Sequence, residues 1–343
     1  MLEGINHAML FEMVLALGTF LFSMFLTPFY TYIAYKQQWW KKKRATALTG
    51  EKLTVVAKLQ AENKRRHFPT MAGIIGLIAV TVVTLICNLS REQTWLVLAA
   101  YVGGGIVGLI DDIINVSGAG KGVAGLRSSL KFTMMAAVGL GLGWFFACRL
   151  GWTSIFVPYF GPFELGVVGM ILLFAFAVVA TGNAVNMSDG LDGLAGGLCM
   201  IAYGAFGVIA LLQGQFGLAG FCFTVIGWLL SYVWFNVPPA RFMMGDVGSF
   251  ALGAGLGVVA MMTNTFLLLP VIGIVFVAET GSVILQTISK KIRGKKIWLA
   301  TPIHHHFDAI GWGQAKIVMR FWVVAGVFAC VGVFIALGSG LIA

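Results

Sequence analysis

Between two long apolar segments the chain reads Asn183-Ala-Val-Asn186-Met-Ser-Asp189-Gly-Leu-Asp192-Gly193. Two carboxylates and two carboxamides are thus packed into one short stretch. Such side chains are costly near hydrocarbon and are rare there without a function. Asp189 and Asp192 are three apart, a spacing that shares one face if the segment is helical. Gly190 and Gly193 leave the backbone open to a close-lying ligand. The local chemistry suits magnesium, a phosphate or a sugar, held at a membrane surface.

Three further segments carry the same kind of chemistry. Asp111 and Asp112 follow the apolar run Gly108-Leu-Ile. Adjacent carboxylates repel each other, so a cation or a raised pKa is expected between them; alternatively, the pair is simply a helix end entering water. Asn236 and Asp246 bracket a Pro-broken stretch, and Gly245 and Gly248 flank Asp246. Magnesium takes one or two carboxylates together with phosphate oxygens and water, and Asp246 fits that role. Three consecutive histidines, His304, His305 and His306, follow Pro302-Ile303. Their spacing does not suit a helical zinc site, which needs histidines at i and i+4. Their imidazoles could contact a diphosphate or a carboxylate-bearing substrate. Lys131, just after a Gly-rich stretch, is either a snorkelling anchor or a phosphate ligand.

The elements that must position these residues are membrane helices. The chain has 343 residues, 59% hydrophobic and 10% charged, with mean hydropathy +0.92. That composition excludes a soluble domain of this length and predicts an all-α integral membrane protein, a single polytopic domain over residues 1–343. Apolar windows predict about ten transmembrane helices, near 11–35, 70–90, 94–110, 130–149, 166–182, 194–213, 217–235, 248–264, 266–288 and 320–342. The break between the eighth and ninth, around Asn264, is short. Of the 23 basic residues, all but Arg91 and Arg149 fall in odd-numbered loops. By the positive-inside rule those loops are cytoplasmic and both termini are periplasmic or extracellular. The net charge of +10 then reports topology and contact with the lipid bilayer rather than nucleic-acid binding. Asp111, Asp112, Asp189, Asp192 and Asp246 all fall at expected cytoplasmic ends of spans, which predicts one cytoplasmic-face active site. Pro158, Gly161 and Pro162 suggest a small hairpin at the outer interface. The five cysteines stand singly in apolar surroundings and read as packing residues, with no disulfide framework or zinc site.

In this combination and order the chain resembles the polyprenyl-phosphate N-acetylhexosamine-1-phosphate transferases. It most resembles their phospho-N-acetylmuramoyl-pentapeptide-transferase branch. The resemblance runs through Pro69-Thr-Met-Ala-Gly73, Asp111-Asp112, Asn183 to Gly193, Asn236 to Ser249 and Pro302 to Phe307, with Arg320-Phe-Trp322 beyond. The His run points to the muramoyl-pentapeptide branch. The resemblance implies transfer of phospho-MurNAc-pentapeptide from UDP-MurNAc-pentapeptide to undecaprenyl phosphate in a bacterial inner membrane, with Mg2+ as cofactor. It implies a catalytic set of Asp111, Asp112, Lys131, His304, His305 and His306. Asp246 becomes the metal ligand, and Arg65, Asn183, Asn186, Asp189, Asp192 and Asn236 contact substrate. Apolar span faces would suit a homodimer, and no residue specifies one. The chain departs from the family pattern at Ala72, where Gly is usual, and at Arg65 or Arg66, where a Lys is usual. It departs again at Met243, where Phe often precedes Met-Gly-Asp, which puts aromatic stacking on uracil in question. A UDP-GlcNAc-type transferase is the near alternative. A proton-coupled transporter is the remote one, since it would place its carboxylates near midspan.

Overall fold

A computed structural model describes residues 2–40, 68–118 and 125–341. Arg65, an expected substrate contact, lies outside them. The elements in chain order are α1 (Leu2–Lys36), α2 (Gly73–Cys87), α3 (Trp95–Ser117) and α4 (Ser128–Cys148). A hairpin of β1 (Ser154–Val157) and β2 (Gly161–Glu164) follows. Then come α5 (Gly166–Ser188), α6 (Leu194–Leu212), α7 (Phe216–Asn236) and α8 (Gly245–Met262). The chain ends with α9 (Leu269–Ile272), α10 (Ile274–Arg293), α11 (Ile303–Ala309) and α12 (Gln314–Gly338).

Among the described residues, eight helices are long and apolar enough to cross a membrane. They are α1, α3 to α8 and α12. Two of the expected spans have a different form. The second is only the 15-residue α2, about 22 Å at 1.5 Å per residue and short of a ~30 Å hydrocarbon core. The ninth is broken: the segment Phe266–Ile272 and α10 meet at 84°. The break falls at Gly273, whose backbone leaves the helical region at φ −95° and ψ 29°, three residues after Pro270.

Helix α8 is the axis of the bundle, buried at every residue from Gly245 to Met262. A helix apolar all round belongs inside, and α8 is built largely of Gly, Ala and Val. Where lipid and protein interior are equally apolar, close van der Waals approach replaces the hydrophobic drive as the source of helix association. Gly108 on α3 shows how close that approach is. A Cβ there would lie 2.1 Å from the backbone oxygen of Asp246.

Helix α10 is inside-out by the standard of a soluble protein. Glu279, Ser282, Gln286 and Ser289 are buried on one face, while Ile284, Leu285, Ile288 and Ile292 are exposed on the other. The polar face holds the segment leading to α11. The backbone N–H groups of Ile297 and Trp298 donate to Gln286 Oε1 at 3.0 and 2.9 Å. Ser289 Oγ donates to the Lys295 carbonyl at 3.0 Å. Polar groups face inward and apolar ones outward, the arrangement lipid demands.

The expected hairpin is present, antiparallel, with Ser154 opposite Glu164 and Val157 opposite Gly161. The Phe156 N–H donates to Asn264 Oδ1 at 2.9 Å and ties the hairpin to the C-terminal end of α8. The polar segments described next gather at the opposite end of that helix.

Candidate active site

Asp111 and Asp112 do not end a helix, as hydropathy alone predicts. Helix α3 runs on to Ser117, with both carboxylates in its last two turns. They are 2% and 0% exposed, because that part of α3 lies against the N-terminus of α8 rather than in water. Asp246, in the first turn of α8, is 6% exposed. One carboxylate oxygen from each of the three lies within 4.8 Å of the others.

Buried charge of one sign must be balanced. Part of the balance is Lys131, in the first turn of α4, whose Nζ lies 3.1 Å from Asp111 Oδ2 and 3.0 Å from Asp246 Oδ2. The Leu126 N–H donates to Asp111 Oδ1, and the Val247 N–H donates to Asp112 Oδ2 at 3.0 Å. Among the described residues the cluster sets three carboxylates beside one ammonium, a donor set rich in carboxylate oxygen. Opposed ligands of a magnesium octahedron stand about 4 Å apart, twice a 2.0–2.1 Å bond. The cluster therefore fits a magnesium ion in donor chemistry and size. Lys131 already bridges two of the carboxylates, so it must share that space with the ion.

The Asn183–Gly193 segment divides in two. Asn183 and Asn186 lie on the last turns of α5, and the helix stops at Ser188. Asp189 and Asp192 then lie in a turn, not on a common helical face. Asn186 Nδ2 donates to Ser249 Oγ at 2.8 Å, one turn from Asp246. Asn183 Nδ2 donates to the Val179 carbonyl of its own helix at 2.8 Å.

Two further expected substrate contacts use their side chains to hold the backbone of other segments. Asn236 is 1% exposed. Its Oδ1 accepts from the Gly193 N–H at 2.8 Å, and its Nδ2 donates to the Phe242 carbonyl at 2.8 Å. Asp192 Oδ2 accepts from the Ala240 N–H at 3.0 Å. Together they lock the α5–α6 turn to the α7–α8 loop. Phe242 is buried, with ring centroids 5.7 Å from Tyr30, 6.2 Å from Tyr232 and 5.6 Å from Phe235. It serves the packing under the site rather than offering a face to a base.

The three histidines differ. His304 is fully buried, with Nδ1 2.9 Å from Glu279 Oε2. His305 is held neutral, its pKa pushed down to about 3 by burial and then by the adjacent His304. It offers hydrogen bonds at neutral pH but no charge. His306 Nδ1 accepts from the Leu299 N–H at 3.4 Å. Glu279 is the residue the sequence reading missed. Its signal was available: a lone carboxylate inside the apolar run of α10.

Asp111, Asp112, Lys131 and Asp246 therefore form one cluster, and Asn186 joins it through Ser249. Asp192, Asn236 and His304 gather around the neighbouring 189–193 turn. The profile of the Glycosyl transferase family 4 matches residues 94–264, which span α3 to α8 and so contain that cluster. The phospho-N-acetylmuramoyl-pentapeptide-transferase of Geobacillus sp. (strain WCH70) is 40% identical over 283 residues, covering 80% of this chain and 86% of that protein. The chain belongs to the phospho-N-acetylmuramoyl-pentapeptide-transferase family. The enzymes of that name from Geobacillus thermodenitrificans (strain NG80-2) and Bacillus mycoides (strain KBAB4) are 41% and 40% identical, with the same coverage. Placement in this family turns the mixed charge cluster from a buried ion pair into a candidate centre for phosphosugar transfer.

Proposed function

We propose that this chain transfers phospho-MurNAc-pentapeptide from UDP-MurNAc-pentapeptide to undecaprenyl phosphate at the cytoplasmic face of a bacterial inner membrane, releasing UMP. The observation that carries the reading is the buried cluster of three carboxylates and one lysine, at one end of a bundle of membrane-length helices. A polar centre at that depth meets both a water-borne nucleotide sugar and a phosphate anchored in lipid.

The reaction is direct. A phosphate oxygen of the lipid attacks the sugar-bearing phosphorus, and the bond from that phosphorus to the bridging oxygen breaks. UMP leaves with that oxygen. A phosphate anion needs little activation, so positioning and charge compensation carry most of the work. Lys131 lies where it can pass from Asp111 and Asp246 to a phosphate oxygen. Asp111 orients the lipid phosphate, and Asp112, fixed by the Val247 N–H, keeps the α8 N-terminus in register. Asp246, with Asp111 and Asp112 beside it, would hold magnesium, which neutralises the diphosphate when bound. Asp192 and Asn236 shape the donor side through the backbone they tie together.

A cavity of about 280 Å3 supports the lipid half of the reading. It opens between α5, α8 and α10, and Phe176, Val185, Leu256, Phe276 and Ile284 are among its lining residues. Its wall is almost wholly apolar, as a prenyl chain requires. Leu256 is ten residues along α8 from Asp246, about 15 Å, so a lipid phosphate at the cluster can send its tail there. The test is a product assay with purified protein, undecaprenyl phosphate and magnesium, run with UDP-MurNAc-pentapeptide and with UDP-GlcNAc. The reading expects lipid-linked product and UMP from the first donor; product from UDP-GlcNAc alone overturns the choice of substrate.

A further inference from the structure

Glu279 and His304 form a buried pair outside the carboxylate cluster. Both are 0% exposed, and Nδ1 of the imidazole lies 2.9 Å from Glu279 Oε2. The other ring nitrogen, Nε2, is buried with no hydrogen-bond partner among the described residues. Its direction is set by Gly190: a Cβ on that residue would lie 2.4 Å from Nε2. The bare edge of the imidazole therefore sits under the 189–193 turn, where the missing Gly190 side chain leaves room for it. The groups around the ring are Glu279 from α10, His305 and Asp308 from α11, and the backbone of Gly190.

A carboxylate only accepts, so its contact with Nδ1 places a proton there. A neutral imidazole with Nδ1 protonated has an acceptor at Nε2. The hydrogen bond at one nitrogen thus decides the chemistry offered by the other. A buried acceptor with no partner carries a desolvation penalty, which a hydrogen-bond donor arriving with substrate would relieve.

We propose that Glu279 is a positioning residue. It fixes His304 as the Nδ1–H tautomer and presents Nε2 under the 189–193 turn as an acceptor for an N–H or O–H group of the sugar-nucleotide donor. The proposal rests on the transferase reading above. It adds the residue that sets the polarity of His304 and the class of group that His304 receives. Gly190 is part of the device, because any side chain there meets Nε2.

The test combines nitrogen NMR of 15N-histidine protein with steady-state kinetics on the full chain, using UDP-MurNAc-pentapeptide and undecaprenyl phosphate. His304→Gln assigns the His304 signals. The wild type should show protonated Nδ1 and unprotonated Nε2. Glu279→Gln supplies an amide that can donate to Nδ1 as well as accept from it, so both tautomers should appear. Turnover should then fall about 10- to 100-fold, the scale seen when the carboxylate behind a metal-bound histidine is removed, with KM for undecaprenyl phosphate unchanged. Gly190→Ala should raise KM for the nucleotide sugar and leave the wild-type tautomer in place. A wild-type spectrum with the proton on Nε2 overturns the proposal whatever the variants do, as does a folded Glu279→Gln enzyme with unchanged kcat and KM. If Glu279→Gln does not fold, the wild-type spectrum and Gly190→Ala decide. A wild type without turnover overturns the transferase reading instead, and the tautomer spectrum then decides the pair on its own.

Discussion

Replacing Lys131 by methionine keeps most of the side-chain volume and removes one positive charge from a buried cluster. Its Nζ lies 3.0 and 3.1 Å from two carboxylates. At an effective dielectric near 20, each such contact is worth about 5 kcal/mol of attraction. Two carboxylates at the 4.8 Å limit of the cluster repel by about 3.5 kcal/mol on the same scale. Solvation, relaxation and proton uptake offset much of this, and breaking a buried pair usually costs ~3–5 kcal/mol net. Lys131→Met should therefore be clearly less stable than wild type in a chelator. Without the ammonium, the three carboxylates should hold a divalent cation more tightly. A cation at 100 times its Kd stabilises by about 2.7 kcal/mol. Magnesium should thus recover much of the lost stability in the variant and raise wild type less. The assay is the apparent unfolding temperature of purified protein in detergent, at one scan rate, with chelator and across a magnesium series. Turnover should stay low even where magnesium restores stability, because the proposed Lys131 contact to phosphate is gone. An unchanged unfolding temperature in chelator, with the wild-type response to magnesium, would refute the charge-balance reasoning.

Three other substitutions probe the supports of the site. Gly108→Ala puts a methyl 2.1 Å from the Asp246 carbonyl, so α3 and α8 must separate; turnover should fall at least tenfold, seen as lost UMP release in protein that still elutes as a folded species. Asn236→Ala removes bonds to Gly193 and Phe242, and should cost about 1–3 kcal/mol for the groups left unpaired, read as a lower unfolding temperature. His305 has its folded pKa depressed to about 3 against an ordinary 6.5. The unfolded chain therefore takes up the proton first, and stability present above pH 6.5 is lost as pH falls. By pH 5 the loss is about 2 kcal/mol. His305→Gln should remove that part of the decline in unfolding half-life between pH 7 and pH 5.

Eight of the ten expected spans were legible as full-length helices because lipid imposes length and composition on them. Their ends were less so. Hydropathy reads Asp111 and Asp112 as the edge of a span, yet α3 continues to Ser117 because the carboxylates find Lys131 and the α8 N-terminus instead of water. The 84° break before α10 was marked by Pro270 and Gly273, but a window average blends such residues into an apolar run. The types of the site residues were legible, and their division of labour was not. Nothing local shows that Asn236 uses its carboxamide on backbone, or that Asp192 reaches Ala240 across another loop. Glu279 and His304 are 25 positions apart and meet only through the fold.

The central claim is that the cluster of Asp111, Asp112, Lys131 and Asp246 carries out transfer of a phosphosugar to a lipid phosphate. The most direct measurement compares wild type with Asp246→Asn in proteoliposomes containing undecaprenyl phosphate and magnesium, matched for folded protein. UDP-MurNAc-pentapeptide is the donor, and UMP and lipid-linked product are counted together. Wild type should form the two in equal amounts, and Asp246→Asn should form neither above background. Full turnover by folded Asp246→Asn would contradict the account.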